Sequence, residues 1–236
     1  MITISLVAIP YRIAALQNEQ SSLLAYPVDR LANVIKAVGF RCTRCARCCT
    51  RLFNGHVFLI DREVAGIRAI DPAAVEPAPG PEFCDQNGTF YVSGYALRAQ
   101  DDEEASCWFL EHGRCRIYGD RLTICRIYPY MLHREPDERG VVDWRQIAGL
   151  DMHGEYHTDI PDDECIDLAR RTKEYENAIL TQEIAFLRFM EEHFARHQLR
   201  HVQKVYDDRM RAFAKGYPIT VMVYCNGSLE PCTLRP

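Results

Sequence analysis

The sequence predicts an α+β protein: a small, irregular domain organised by metal–thiolate sites, with short strands and a long helical region towards the C-terminus. Three observations lead there. Eleven cysteines occur in 236 residues, four of them within eight positions of "RCTRCARCCT" (41–50). Apolar runs before residue 135 are short and broken by Pro and Gly, as strands and loops are. From about Asp163 to Lys215 the apolar residues instead recur at helical spacing.

The elements follow in order. "ITISLVAI" (2–9) reads as a strand. In "VDRLANVIKAVG" Val28, Leu31, Val34, Ile35 and Val38 share one helical face, and Gly39 stops the helix. "HVFLIDREVAGIRAIDP" reads as a short strand, an N-cap at Asp61, and a helix ending before Pro72. Pro72, Pro77, Pro79 and Pro81 make the next stretch a loop. "TFYVSGYALRAQ" alternates like a strand, and the "DDEE" at 101–104 is a solvated turn. "CWFLEHGRCRIY" and "RLTICRIYPYML" are short and β-like. In the helical region Ile184, Leu187, Met190 and Phe194 line one face, and Gly216 with Pro218 ends it. "ITVMVYCNG" closes as a strand with an Asn-Gly turn. Three segments are expected: 1–37 with a strand and helix, 38–170 as the cysteine-cluster domain, and 171–236 packed on that domain.

Composition narrows the class. The apolar share of 47% supports a sizeable core. A net charge of −5 argues against binding to nucleic acid or acidic membranes. No apolar stretch reaches the roughly 18 residues of a spanning helix, so no membrane insertion is expected. "MITISLVAIP" has no basic residues before it and no small-residue cleavage site after it, unlike a secretory signal. A cytoplasmic, reducing location with metal-binding thiols is the expectation. The sequons at Asn87 and Asn226 then read as turns.

Cys42, Cys45 and Cys48 form C-x2-C-x2-C. A turning loop of this spacing presents three thiolates to three irons of one cubane cluster, with the fourth ligand far along the chain. Zinc sites more often use two C-x2-C knuckles, and no second one follows, although single cysteines could still complete a zinc site. Cys49 follows Cys48 directly, so its side chain is expected to point elsewhere and serve a second site. Cys107, Cys115, Cys125 and Cys165 supply four more thiols. One completes the loop trio and three join Cys49, making two four-thiolate sites, expected to hold two 4Fe-4S clusters, or alternatively zinc. Cys84 reads as a buried small apolar residue, and Cys225 and Cys232 as buried residues or an accessory thiol pair.

Arg41, Arg44, Arg47 and Arg51 interleave with the first thiols, and Arg114, Arg116, Arg121 and Arg126 with the later ones. They either offset the negative charge of thiolate centres or are surface residues on loops. His193, His197 and His201 stand at helical spacing, where two of them could chelate one metal, but among charged residues they read as a solvated helix face; His153 and His157 are a weaker pair that falls in a loop. No dinucleotide-binding glycine motif, phosphate loop, nucleophile elbow or S-adenosylmethionine loop is present, so no catalytic residue is assigned.

At "CTRCARCC" joined to "CWFLEHGRCRIYGDRLTICRIYP" the sequence resembles the YkgJ-type cysteine-cluster family of zinc- or iron-chelating proteins. The pattern C-x2-C-x2-C-C, C-x-F-L, C-x-I-Y, C-R-x-Y-P and a late cysteine matches Cys42, Cys45, Cys48, Cys49, Cys107, Cys115, Cys125 and Cys165, over roughly residues 38–170. Two positions depart from it: Ala46 stands where the family has Gly, and Arg121-Leu122 where it has Arg-Pro. The resemblance implies metal chelation by these cysteines. The expected function is an iron–sulfur protein in electron transfer, or a subunit of a redox or maturation complex with a protein partner. A zinc-stabilised interaction module is the first alternative. A methyltransferase-like enzyme is the second, since flagellin lysine methylases are similar in their cysteine cluster.

Overall fold

The computed structural model describes residues 8–136, 139, 142–146 and 150–235. Helices and short strands in small sheets make it α+β, as the sequence predicts. Contacts divide the chain into two compact units, each discontinuous in sequence: residues 1–17, 58–96 and 181–236, and residues 18–57 and 97–180. The contiguous segments read from the sequence are thus interleaved, because 58–96 packs with 181–236.

The first unit is built on a four-stranded sheet in the order Ser228–Leu234, Ile219–Cys225, Phe90–Ser93, Phe83–Cys84. Asn226 and Gly227 take positive φ (48° and 80°), the hairpin turn their sequence predicts, and they set Ser228 opposite Cys225. Phe90–Ser93 then pairs in parallel with Ile219–Cys225. Phe90, Tyr91 and Val92 are buried in succession, so both sheet faces are covered. Tyr91 joins Phe83, Phe186, Leu187, Met190 and Tyr224 in one apolar cluster. Phe90 meets Tyr206 of the helix Gln203–Phe213 edge-on at 5.2 Å. Asp85, 2% exposed, holds the turn after Phe83–Cys84 by accepting hydrogen bonds from the N–H of Asn87 and Thr89 and the hydroxyl of Tyr91.

Several elements here differ from the sequence expectation. The strand expected over 2–9 lies outside the described residues except at its end, where Ile9 already begins the helix Ile9–Ala25. Asp61 is the first residue of the helix Asp61–Ile70 and not its cap. Its carboxylate accepts instead from the N–H of Asn226, at 2.8 Å. The proline-rich loop contains the short strand Val75–Pro77, paired with Tyr95–Leu97. "TFYVSGYALRAQ" is two strands broken at Gly94, whose φ of 71° only glycine adopts easily.

In the second unit the helix Val28–Val38 forms as predicted, with Leu31, Ala32 and Ile35 buried and Gly39 left-handed at its end. The next residue is fastened at once: the Phe40 N–H donates to the Tyr130 hydroxyl at 3.1 Å. Leu110–Glu111 and Arg114–Cys115 form a hairpin, as their β-like sequence suggests. "RLTICRIY", by contrast, is helical over Thr123–Ile127, because only Ile127 there is fully buried and one turn satisfies the backbone locally. Strand Tyr130–Pro136 pairs with Val142–Gln146. The helix Asp162–His197 is 36 residues long and supplies residues to both units.

That helix does not run on to Lys215. Gln198 turns left-handed (φ 55°), and the Leu199 N–H closes back on the Phe194 carbonyl at 2.9 Å. Residues 201–202 then close the sheet edge: His201 Nδ1 accepts the Cys84 N–H at 3.0 Å, and Val202 N–H donates to Cys84. The edge strand's need for partners stops a helix that the period alone would extend.

Candidate metal centre

Seven thiols, those of Cys42, Cys45, Cys48, Cys49, Cys107, Cys115 and Cys125, line a single cavity of about 340 Å³ in the unit formed by 18–57 and 97–180. The cavity wall is assembled from short pieces. The segment 41–49 enters through one isolated antiparallel bridge, in which Arg41 and Glu155 exchange N–H···O bonds of 2.7 and 3.0 Å. The loop then turns left-handed at Arg44 and Ala46 (φ 61° and 63°) and ends in the 3-10 turn Arg47–Cys49. Two such reversals within three residues turn the Cys-x2-Cys-x2-Cys segment back along the cavity wall. The second reversal is a reason for the Gly of the family pattern at this position, since Ala46 holds a conformation that costs an L-residue about 1–2 kcal/mol and glycine almost nothing; nothing in the structure explains the alanine. Leu122, where the family has Pro, has φ −52° and ψ 153°, backbone that proline would also adopt.

The remaining thiols arrive on separate supports. Cys107 is tied to the loop by its N–H, which donates to the Cys49 carbonyl at 2.7 Å. Cys115 stands on the hairpin opposite Leu110. Cys125 stands on the helix Thr123–Ile127. The backbone N–H two residues on bonds back to the sulfur at three of them: Arg47 to Cys45, Phe109 to Cys107, and Ile117 to Cys115. The Gly154 N–H also reaches Cys45. Such N–H groups stabilise sulfur in its thiolate form.

The adjacent thiols Cys48 and Cys49 do not point apart as the sequence suggests. The 3-10 turn brings them into a shared hydrogen bond, which pushes Cys48 up and lowers Cys49 to about 7, with Arg121 assisting Cys49. Burial raises Cys125, and the nearby Cys107, Cys49 and Cys115 raise it further against the pull of Arg121. Burial first, then Cys49 and Cys115, push Cys107 up to about 12. For Cys45 burial acts upward, but its N–H partners outweigh it and the thiol lies below its ordinary value. The thiols therefore feel one another's charge. That repulsion is what a bound cationic metal group relieves, so the donor set suits such a group.

Arg41, Arg44, Arg51, Arg98, Arg121 and Arg126 also line the cavity. Arg44 and Arg121 lie over the Tyr118 ring at 4.0 and 3.9 Å. Arg47, Arg114 and Arg116 do not line it; Arg116 pairs with Glu111 at 3.2 Å. Among the described residues no three His, Cys, Asp or Glu side chains close on a point as a lone ion's ligands do.

Cys165 is not on this wall. It is 1% exposed, and its thiol faces the Ile160 carbonyl at 3.8 Å. Its helix neighbours Glu164 and Leu168 do line the cavity. Residues i and i+4 share a helix face, and the residue between turns about 100° away, here into the core. Cys84 is a buried apolar residue, as expected, with burial pushing its thiol up to about 11. Cys225 and Cys232 are not a pair: in the hairpin Cys225 stands opposite Ser228 and Cys232 opposite Val221, about 13 Å further along.

The C-terminal histidines take no part. His193 is not fully solvated; it stacks on Phe189 at 5.7 Å and packs on Tyr91 at 5.7 Å. His201 is on the sheet edge, off the helix. Of the weaker pair read from the sequence, His153 lines the cavity and His157 does not; the His153 ring packs among Phe53, Tyr128 and Phe40 at 5.0, 5.4 and 5.9 Å. Its sequence signal, the spacing to His157 in a loop, says nothing of the cavity beside it.

No curated protein and no solved structure matches this chain. The family model CxxCxxCC, described as "Putative zinc- or iron-chelating domain", matches residues 41–177. That span is more than half of the sequence and includes all seven thiols of the cavity wall. It is the same cysteine-cluster family that the motifs resemble, and the chelation it describes agrees with the donors gathered here: the chain belongs to the CxxCxxCC family.

Proposed function

We infer that the cavity holds an iron–sulfur group of 4Fe-4S type, and that the protein serves electron transfer or a redox or maturation complex through a protein partner. The observation that carries this reading is the seven-thiol wall around about 340 Å³. A tetrahedral zinc ion needs four sulfurs about 3.8 Å apart and leaves no such space, at a Zn–S distance of about 2.3 Å. A cubane spreads its ligands, because each sulfur binds a different iron. The N–H groups directed at Cys45, Cys107 and Cys115 support the same reading, since donors to ligand sulfur raise a cluster's potential. When bound, the group supplies one-electron chemistry. The chain's own part is to hold the sulfurs, neutralise charge with Arg121 and its neighbours, and leave Cys42 and Cys45 exposed towards a partner.

The test is metal and sulfide analysis of protein purified without oxygen from iron-supplied cells. Iron with acid-labile sulfide, and a brown colour that bleaches on reduction, is the expected result. Stoichiometric zinc without sulfide overturns it and leaves the zinc-stabilised interaction module, which the family description equally names.

A further inference from the structure

We propose that His193 and His197 together form a metal site separate from the thiol cavity, which takes an exchangeable divalent ion of the zinc, nickel and copper class. Both residues belong to the unit built from 1–17, 58–96 and 181–236. The site goes beyond the reading of the cavity and does not rest on it.

The two residues stand four apart at the C-terminal end of the helix Asp162–His197, where i and i+4 share a face. Their ring centres are 4.6 Å apart. A metal about 2.1 Å from an imidazole nitrogen lies about 3.2 Å from the centre of that ring. Two rings on one ion therefore have centres about 4.5 Å apart when ligation is at a right angle, and about 5.2 Å apart when it is tetrahedral. The spacing of this pair falls within that interval, so the helix backbone already sets it. Turning of the exposed His197 ring aims the second nitrogen.

Neither imidazole is committed elsewhere. His201, the third histidine of the run, accepts the Cys84 N–H at Nδ1 and meets Gln203 Oε1 at 3.1 Å with Nε2, so both of its nitrogens are used. Among the described residues His193 and His197 have only ring contacts and no hydrogen bond. His193 is half-buried and packs on Phe189 and Tyr91 at 5.7 Å and on Phe194 at 6.3 Å, which orients one ligand in advance. Burial first, then His197 and Arg196, lower its proton affinity against the pull of Asp85, so the imidazole is neutral at neutral pH and its lone pair is open. An ion there also lies at the negative end of the helix dipole, where cations are favoured. Imidazole suits zinc, nickel and copper, whereas magnesium and calcium prefer oxygen ligands. With two protein ligands, water in the remaining positions and Arg196 close by, the ion is held weakly and exchanges.

The experiment titrates Ni2+ into the full-length protein, purified without oxygen, and compares wild type with His197→Asn, His193→Asn and His157→Asn. Calorimetry gives the affinity. Magnetic resonance of the histidine rings gives the position, since paramagnetic Ni2+ broadens only nearby signals, and thiolate-to-nickel absorption reports any binding to cysteine. Wild type should bind one equivalent that broadens the His193 and His197 ring signals without thiolate absorption. His197→Asn, a change at an exposed position that leaves the core alone, should weaken this binding about tenfold or more, because a second ligand on the same support acts at high effective concentration. His193→Asn should do the same. His157→Asn, at an exposed histidine of the other unit, should change nothing. A fall of only about twofold in His197→Asn means two independent rings and overturns the proposal. Nickel bound with thiolate absorption and unbroadened histidine signals overturns it as well. So does a loss of iron or zinc from the purified His197→Asn protein, since the pair would then belong to the thiol centre.

Discussion

Replacing Gly154 by Ala tests the loop that closes the cavity. Gly154 has φ 73°, and a Cβ placed there would lie 2.4 Å from Phe40 Cε2 and 3.0 Å from the Arg41 carbonyl oxygen. The left-handed backbone alone costs alanine about 1–2 kcal/mol. The clash adds more, because the Arg41 carbonyl is fixed by its bond to Glu155 and cannot move aside. Phe40 must therefore swing away from Tyr128 and Tyr156, whose rings it meets edge-on at 5.6 and 5.1 Å. Each such contact is worth about 0.5–1.5 kcal/mol, which brings the total to roughly 2–5 kcal/mol. Gly113 provides the control within the same unit: its φ is 72°, and nothing lies within 4 Å of its added Cβ. Gly113→Ala should cost only the backbone part, about 1–2 kcal/mol. Urea unfolding of the two variants beside wild type measures both. If Gly154→Ala falls within about 0.5 kcal/mol of Gly113→Ala, the packing argument is wrong, given the usual scatter of surface substitutions.

Two further outcomes follow from other parts of the molecule. Asp85→Ala leaves two N–H groups and the Tyr91 hydroxyl without their acceptor in a buried turn. It should cost about 2–4 kcal/mol in thermal or urea unfolding while metal content stays unchanged, because Asp85 and the thiols belong to different compact units; a loss of metal would refute this. In metal-free protein the hydrogen bond from Cys48 holds Cys49 ionised down to about pH 7. Alkylation of Cys49 should therefore persist near neutrality and fall away as the pH drops below about 7, as mapped by mass spectrometry. In Cys48→Ala that fall should move to higher pH, towards an ordinary thiol near 8.5, and an unmoved profile would refute the assigned cause.

Much of the centre was legible in the sequence because covalent spacing limits where sulfurs can go. Cys42, Cys45 and Cys48 cannot separate far in a loop of seven residues, so their shared cavity follows from the chain itself. The motif steps at Cys107, Cys115 and Cys125 carried enough pattern to join them to the same group. Local signals also determined the helix ended by Gly39 and the turn at Asn226-Gly227, since both rest on one or two residues that accept positive φ. The tertiary structure decided what depends on a partner distant in sequence. Whether Cys165 faces cavity or core is set by the angle at which its helix packs, and no motif records that angle. His153 reaches the wall through the pairing of Arg41 with Glu155, across more than a hundred residues. The break at Gln198 answers to the hydrogen bonds of an edge strand at Cys84. Spacing acts along the chain and can be read there, whereas burial and side-chain direction arise only when separate segments meet.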